Sequence, residues 1–322
     1  PEAIQQVELV KGASSVLYGA SALNGTINVQ TKRPSNKPYT SINLIHGFYD
    51  KPKRDSINWN TSNIPLFFRN LTVYHDQKIR DLELSVGLNY FDEEHYIQND
   101  VNNTRYRIFT KLALDKTEKS GFYYGISSTF IDNKKGESFL FNGHNDPYRS
   151  YDYKTYNFFT KELAFRPFIT YKPKDSKWNY SLNGQYYYVN YIDTAVTVSD
   201  LFYGNLQSQY KAEKTTYTFG ASSTYVTGKS DIANYKAVQI NAGAYAQAEL
   251  HLDKFTGIFG ARYEYNNENG RVHQKPIFRL VIYGFKPINL FFDGSTGNKL
   301  MHQHIAFLPD TKESREELAE YY

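Results

Sequence analysis

Cysteine does not occur in the 322 residues, methionine occurs once and tryptophan twice. Without thiols there is no disulfide framework and no thiolate metal site. Such a composition suits an oxidising envelope compartment and leaves the cytosol open. No run of eighteen apolar residues occurs either, which excludes a membrane-crossing helix. It does not exclude a membrane-crossing sheet, because a strand needs only about ten residues with alternate positions apolar. The excess of one sign of charge is small. The 37 Lys and Arg against 33 Asp and Glu leave +4, too little for the electrostatic footprint of a nucleic-acid binder. The chain also lacks G-x-S-x-G, H-E-x-x-H, a Walker loop and a dinucleotide fingerprint, so neither an enzyme nor a cofactor is predicted. No secretory signal opens the chain and its first residue is Pro1, which together predict a piece of a longer, processed polypeptide.

Aromatic rings are abundant. The 30 tyrosines and 22 phenylalanines bring aromatics to 17%, while all hydrophobic types together reach only 40%. Tyrosine offers an apolar ring with a polar tip, which suits a membrane interface or a sugar-binding surface. Much of the chain alternates with period two. Leu82, Leu84, Val86, Leu88 and Tyr90 oppose Glu83, Ser85, Gly87 and Asn89. Thr40, Ile42, Leu44, His46 and Phe48 oppose Ser41, Asn43 and Gly47. Tyr106, Ile108, Leu112 and Leu114 oppose Arg105, Arg107 and Lys111, and the alanine-rich series from Val238 to Leu250 opposes Gln239, Asn241, Gln247 and Glu249. Each such segment sets one face in an apolar medium and the other against something polar.

Alternation alone also fits a soluble sandwich; segment and connection lengths separate the two. The segments run about 10 to 15 residues, longer than usual for globular sheets. Short connections are predicted near Lys78–Asp81, Asp115–Gly121, Lys172–Lys177, Glu213–Lys214 and Asp253–Lys254. Long ones are predicted near Tyr49–Pro65, Asp92–Asn103, Asn133–Asn157, Ile192–Asp200, Lys229–Lys236 and Asn266–Lys275. Short turns on one side and long loops on the other are the pattern of an outer-membrane barrel. The fold class is therefore all-β, a transmembrane antiparallel barrel with about twelve strands up to Phe285. Beyond Phe285 the alternation weakens, and Asp310 to Tyr322 reads as a charged loop or short helix.

The first residues carry the most specific pattern. Val7-Glu8-Leu9-Val10-Lys11-Gly12 reads as a strand, Ala13 to Tyr18 as a short helical turn, and Gly25-Thr26-Ile27-Asn28-Val29 as a second strand. With Leu17-Tyr18-Gly19 between them and Thr31-Lys32-Arg33-Pro34 after them, the order resembles the end of the plug domain of TonB-dependent receptors. The resemblance covers roughly the first tenth of the chain. It departs from the family at Asn24, where a further glycine is more usual. It implies that residues 1–34 are the C-terminal part of a plug and residues 35–322 the N-terminal part of a barrel of about twenty-two strands. It marks Glu8, Lys11, Gly12, Tyr18, Gly19, Gly25 and Asn28 as plug signature, with Glu8 and Lys11 seating the plug against the wall. A surface ion pair is the plainer reading of those two.

Other candidates are loop residues. Phe139, Phe141, His144, Tyr148, Tyr151, Tyr153 and Tyr156 lie in the longest loop. Of these, His144 and the four tyrosines could contact cargo at a barrel mouth, though loop self-packing or an aromatic girdle explains most of the rings. His302 and His304 share a strand face as a feasible metal pair, and Asp92-Glu93-Glu94-His95 could hold a hard cation. Isolated histidines and a solvated loop tip are the safer readings, so no metal is assigned.

The resemblance implies energy-coupled import of a scarce nutrient across a Gram-negative outer membrane. The implied partners are an inner-membrane TonB motor acting through a preceding segment, outer-membrane lipid, and a small-molecule, glycan or peptide cargo. The tyrosine-rich, long-looped character is similar to receptors of the Bacteroidota, some of which pair with a surface lipoprotein; such a lid is a candidate partner. Two alternatives stay open: a barrel reused in a structural, secretion or adhesion assembly, and a soluble β-rich carbohydrate-binding protein.

Overall fold

A computed structural model describes residues 3–11, 15–18, 25–58, 60, 64–94, 102–137, 142–149, 156–193, 195–231, 235–252, 255–268, 271–284 and 290–295. Two strands, β1 (Ile4–Lys11) and β2 (Gly25–Thr31), pair antiparallel as a ribbon of their own, with the single-turn helix α1 (Ser15–Tyr18) between them. A second sheet then runs in strict chain order. Its strands are β3 (Tyr39–Phe48), β4 (Phe67–Ile79), β5 (Leu82–Glu93), β6 (Asn103–Lys116), β7 (Phe122–Glu137), β8 (Tyr156–Tyr171) and β9 (Trp178–Ile192). They continue as β10 (Val196–Lys211), β11 (Thr215–Ser230), β12 (Tyr235–Leu252), β13 (Phe255–Glu268), β14 (Arg271–Gly284) and β15 (Leu290–Ser295). Each described strand pairs antiparallel with its neighbours in sequence, an up-and-down meander.

The twelve strands expected before Phe285 are β3 to β14. β15 is a thirteenth, in the region beyond Phe285 where the alternation weakens. Its Leu-Phe-Phe run satisfies a ladder with β14 even though its two faces are poorly distinguished. The short connections fall where the Lys- and Asp-rich turns put them. Three of the expected long loops do not. Residues 193–195, 231–234 and 269–270 are all that separate the strands there. Val196, Thr197 and Val198 suit a ladder at the first and Tyr235 at the second, whereas at the third Asn266, Asn267 and Glu268 extend the ladder by pairing with His273, Val272 and Arg271. The loop expected at 133–157 likewise contracts to 138–155.

The two faces of the sheet are reversed relative to a soluble protein. On β5, Glu83 is 1% exposed and Ser85 is fully buried, while Leu88 is 49% exposed. On β4, Thr72, Tyr74 and Asp76 are buried and Leu71 and Ile79 exposed; on β6, Lys111 and Ala113 are buried and Ile108 and Leu112 exposed. At the short-turn ends of β7 to β11 a band of rings follows the strands. Phe122 stacks on Tyr171 at 4.3 Å, Tyr171 on Tyr180 at 6.2 Å, and Trp178 lies 5.0 Å from Tyr210.

One turn and one ladder position depend on special backbone chemistry. Between β6 and β7 the helical turn α2 (Thr117–Ser120) ends at Gly121, whose φ of 79° is left-handed. A Cβ there would also press on the carbonyl oxygen of Lys172. Gly121→Val is therefore expected to destabilise the protein by about 2 kcal/mol or more, read as a lower unfolding midpoint in detergent; an unchanged midpoint would show that the turn relaxes. On β8, the register with β9 passes from Phe165–Tyr186 to Phe168–Asn183 and skips Arg166 and Pro167. Proline has no N–H to give the ladder.

Candidate functional site

The N-terminal unit lies against the polar face of the large sheet, and two contacts stand out among the described residues. The first is the exit from β2. Arg33 places its guanidinium 3.9 Å from the centre of the Tyr123 ring and reaches Glu83 at 3.4 Å and Asp115 at 3.1 Å. Tyr123 donates its hydroxyl to Glu83 at 2.9 Å, and Lys78 pairs with Asp115 at 2.7 Å. Lys111 donates to the Thr31 hydroxyl at 3.3 Å and the Lys32 carbonyl at 3.2 Å. The Lys32 ammonium sits over the Tyr39 and Tyr74 rings at 5.3 and 5.7 Å. Residues 31–33 are thus fastened to β5 and β6 by charge-assisted bonds, stronger than neutral ones, and to β3, β4 and β7 by cation–π contacts.

The second contact is made by α1. Val16 is fully buried, and a Cβ on Gly260 would come within 2.9 Å of it. Glycine is used here because the helix must approach the β13 backbone. Arg262, two residues along, donates to Glu264 at 2.6 Å, to Ser222 at 2.9 Å and to the Val16 carbonyl at 3.4 Å. In a flat sheet β5 and β13 would stand about 38 Å apart, eight spacings of about 4.8 Å. One small N-terminal unit touches both, so the sheet curves around it.

The residues marked from sequence distribute differently. Glu8 accepts from Gln6, Asn28 and Gln30, each at 3.0 Å. Among the described residues it ties β1 to β2, and Asn28 is its cross-strand partner. Among the described side chains of the N-terminal unit, Val16 and residues 31–33 make contacts with the wall. Lys11, Tyr18 and Gly25 are placed in β1, α1 and β2 by their backbones, and Gly12 and Gly19 lie outside the described residues. Glu83 and Lys111 were visible in the sequence as charges of a polar face, whereas Asp115, expected to open a turn, lies in β6. Which N-terminal residue each would meet was not visible, because that depends on curvature.

On the long-loop side, His144 and Tyr148 belong to a compact turn. Asn142 donates to Asp146 at 3.0 Å, Arg149 pairs with Asp146 at 3.6 Å, and the amide of Asn142 donates to the Arg149 carbonyl at 3.1 Å. Arg54, from the β3–β4 connection, donates to the His144 carbonyl at 3.3 Å, so two loops meet here. Tyr156 begins β8 by its backbone; Tyr151, Tyr153, Phe139, Phe141, His302 and His304 lie outside the described residues. Asp92, Glu93 and Glu94 are not a loop tip. The first two are in β5, and all three are taken up by protein donors: Asp92 by Arg69 at 2.9 Å and Thr104 at 3.0 Å, Glu93 by Tyr49 and Asn103, Glu94 by the Phe67 amide at 3.2 Å. On the short-turn side, Lys119 bonds Asp81 at 2.6 Å and holds its carboxyl below the usual carboxylate range. The small stabilisation this gives is present above the ordinary carboxylate pKa and lost as pH falls through the lowered one.

No family model matches the chain. Solved structures do. The siderophore receptor PiuA from Acinetobacter baumannii is similar over 91% of this chain and 54% of its own, with a TM-score of 0.69 and 10% identity. The FrpB iron transporter from Neisseria meningitidis is similar over 87% of this chain and 51% of its own, at 0.66 and 13%. The ferric yersiniabactin uptake receptor FyuA from Yersinia pestis is similar over 91% and 48%, at 0.59 and 15%. The chain spans about half the length of the solved structures it matches. At these identities the likeness is one of fold alone, that of a large antiparallel β-barrel wall.

Proposed function

We propose that this chain is the end of the plug and the first part of the barrel wall of a TonB-dependent receptor that imports a scarce nutrient across a Gram-negative outer membrane. The observation that carries the reading is the reversed sheet. Its exposed face is Leu, Ile, Phe and Tyr, and its other face holds the buried Glu83, Lys111 and Arg262, against Val16 and residues 31–33. An apolar exterior is stable in lipid and a charged interior is stable around a polar plug. The strands support it. β7, β8, β10 and β11 have 16 residues each, about 53 Å at 3.3 Å per residue. That exceeds the roughly 30 Å hydrocarbon core, so the wall would cross the bilayer and project beyond it. The ring band at the short-turn ends suits the interface.

In this reading the short turns face the periplasm, the motor acts on a segment preceding the ribbon, and a lipoprotein lid is a candidate partner. Glu8 and Lys11 help to order the plug end for seating, and His144, Tyr148, Tyr151, Tyr153 and Tyr156 line the mouth that receives cargo. Because the solved structures of like fold include siderophore and iron receptors, a ferric chelate is the first cargo to test, ahead of vitamins, haem, oligosaccharides and peptides. Mass spectrometry of the whole protein, purified in detergent from its native membrane, tests the proposal. A stoichiometric iron chelate or other small cargo is expected. A fixed set of secretion or adhesion proteins with no small molecule would count against import.

A further inference from the structure

Between residues 31–33 and the inner wall of β6 to β10 lies a cavity of about 410 Å³. Arg33, Lys111 and Arg166 line it together with the rings of Tyr123, Phe168 and Tyr203. The three cations are not equally occupied. Arg33 is matched by Glu83 and Asp115. Lys111 meets only neutral oxygens, the Thr31 hydroxyl and the Lys32 carbonyl, with the Phe168 ring 6.0 Å away. Arg166 donates to the neutral Thr129 hydroxyl at 3.4 Å. Glu83, the carboxylate whose charge bears on Lys111, is already held by Tyr123 and Arg33. Among the described residues, neither Lys111 nor Arg166 makes an ion pair.

Two cations without carboxylates beside one cavity attract an anion, since a charge away from bulk water is costly until it is paired. The surrounding rings suit an organic body, and Asn183 adds a neutral amide to the lining. We infer that this cavity binds a small organic anion bearing carboxylate or phosphate oxygens, held between Lys111 and Arg166. The site lies about five residues in from the short-turn ends of β6 to β9, well away from the long-loop mouth. It does not depend on the import reading, because equilibrium binding of an anion needs neither a motor nor transport.

The test uses the whole protein in detergent micelles, with citrate and bromide as probes. Citrate is expected to bind measurably by calorimetry and to weaken with added salt. Arg166→Gln and Lys111→Gln are each expected to lose about tenfold or more in affinity. Crystals soaked in bromide should show an anomalous peak between the two side chains that disappears in Arg166→Gln. Lys111 also holds residues 31 and 32, so Arg166→Gln decides the matter if Lys111→Gln fails to fold. Equal affinity in wild type and Arg166→Gln, bromide only at surface lysines, or other side chains of the chain filling the cavity would overturn the proposal. Uptake by cells is a separate measurement, so the site can fail while import stands.

Discussion

Arg262→Ala is expected to cost about 3 kcal/mol of unfolding free energy in detergent and to release α1 from the wall. The Arg262 side chain is 6% exposed and that of Glu264 19%, so water cannot replace what the substitution removes. Glu264 loses its guanidinium partner, the Ser222 hydroxyl and Val16 carbonyl lose a donor, and the space beside the Tyr245 ring is vacated. Arg262→Met separates volume from charge. It keeps much of the packing against Tyr245, and most of the loss should remain. In a double-mutant cycle, adding Glu264→Ala to Arg262→Ala should cost far less than Glu264→Ala alone, with a coupling of about 1 to 3 kcal/mol. Release of α1 is read independently by protease cleavage between β1 and β2. An Arg262→Ala protein as stable and as protected as wild type would show that α1 does not depend on this contact.

Glu83→Ala is expected to cost about 2 kcal/mol and to act at the other contact. Its carboxylate is buried and receives the Tyr123 hydroxyl as well as Arg33. A hydrogen bond to a buried charge contributes about 1.5 to 3 kcal/mol. The Arg33 part is small, because that side chain is 48% exposed and still holds Asp115 at 3.1 Å. Glu83→Gln, which keeps an acceptor for Tyr123, should therefore recover most of the stability. Only Glu83→Ala combined with Asp115→Ala should free the Arg33 side chain, seen as increased mobility of a spin label at Asn36, while Lys111 still holds residues 31 and 32. Equal losses for Glu83→Gln and Glu83→Ala would reverse the assignment and make the ion pair the dominant part.

Much of this was legible along the chain because it rests on local physics. The alternation of Leu82 to Tyr90 with Glu83 to Asn89 specifies a strand with two unlike faces wherever it is placed. The Lys- and Asp-rich breaks at 80–81, 172–177 and 213–214 stop strands for reasons of turn chemistry. Loop length was less legible. Residues such as Thr197, Val198 and Tyr235 can extend a ladder only if a neighbouring strand is there to accept them, and that is decided by pairing. Hence the sequence placed long loops at 192–200, 229–236 and 266–275 where the structure has tight connections.

By itself, then, the sequence determined the strand order, the two faces and the character of the N-terminal unit, since period, turn residues and small-residue spacing act over a few positions. Only the tertiary structure decided what the N-terminal unit touches. Val16 meets Arg262 across 246 residues of chain, and Arg33 meets Glu83 across 50. Those meetings are set by how strongly thirteen described strands curve, a property of the accumulated twist and packing of the whole sheet. The same curvature brings Lys111 and Arg166, which are 55 positions apart, to one cavity.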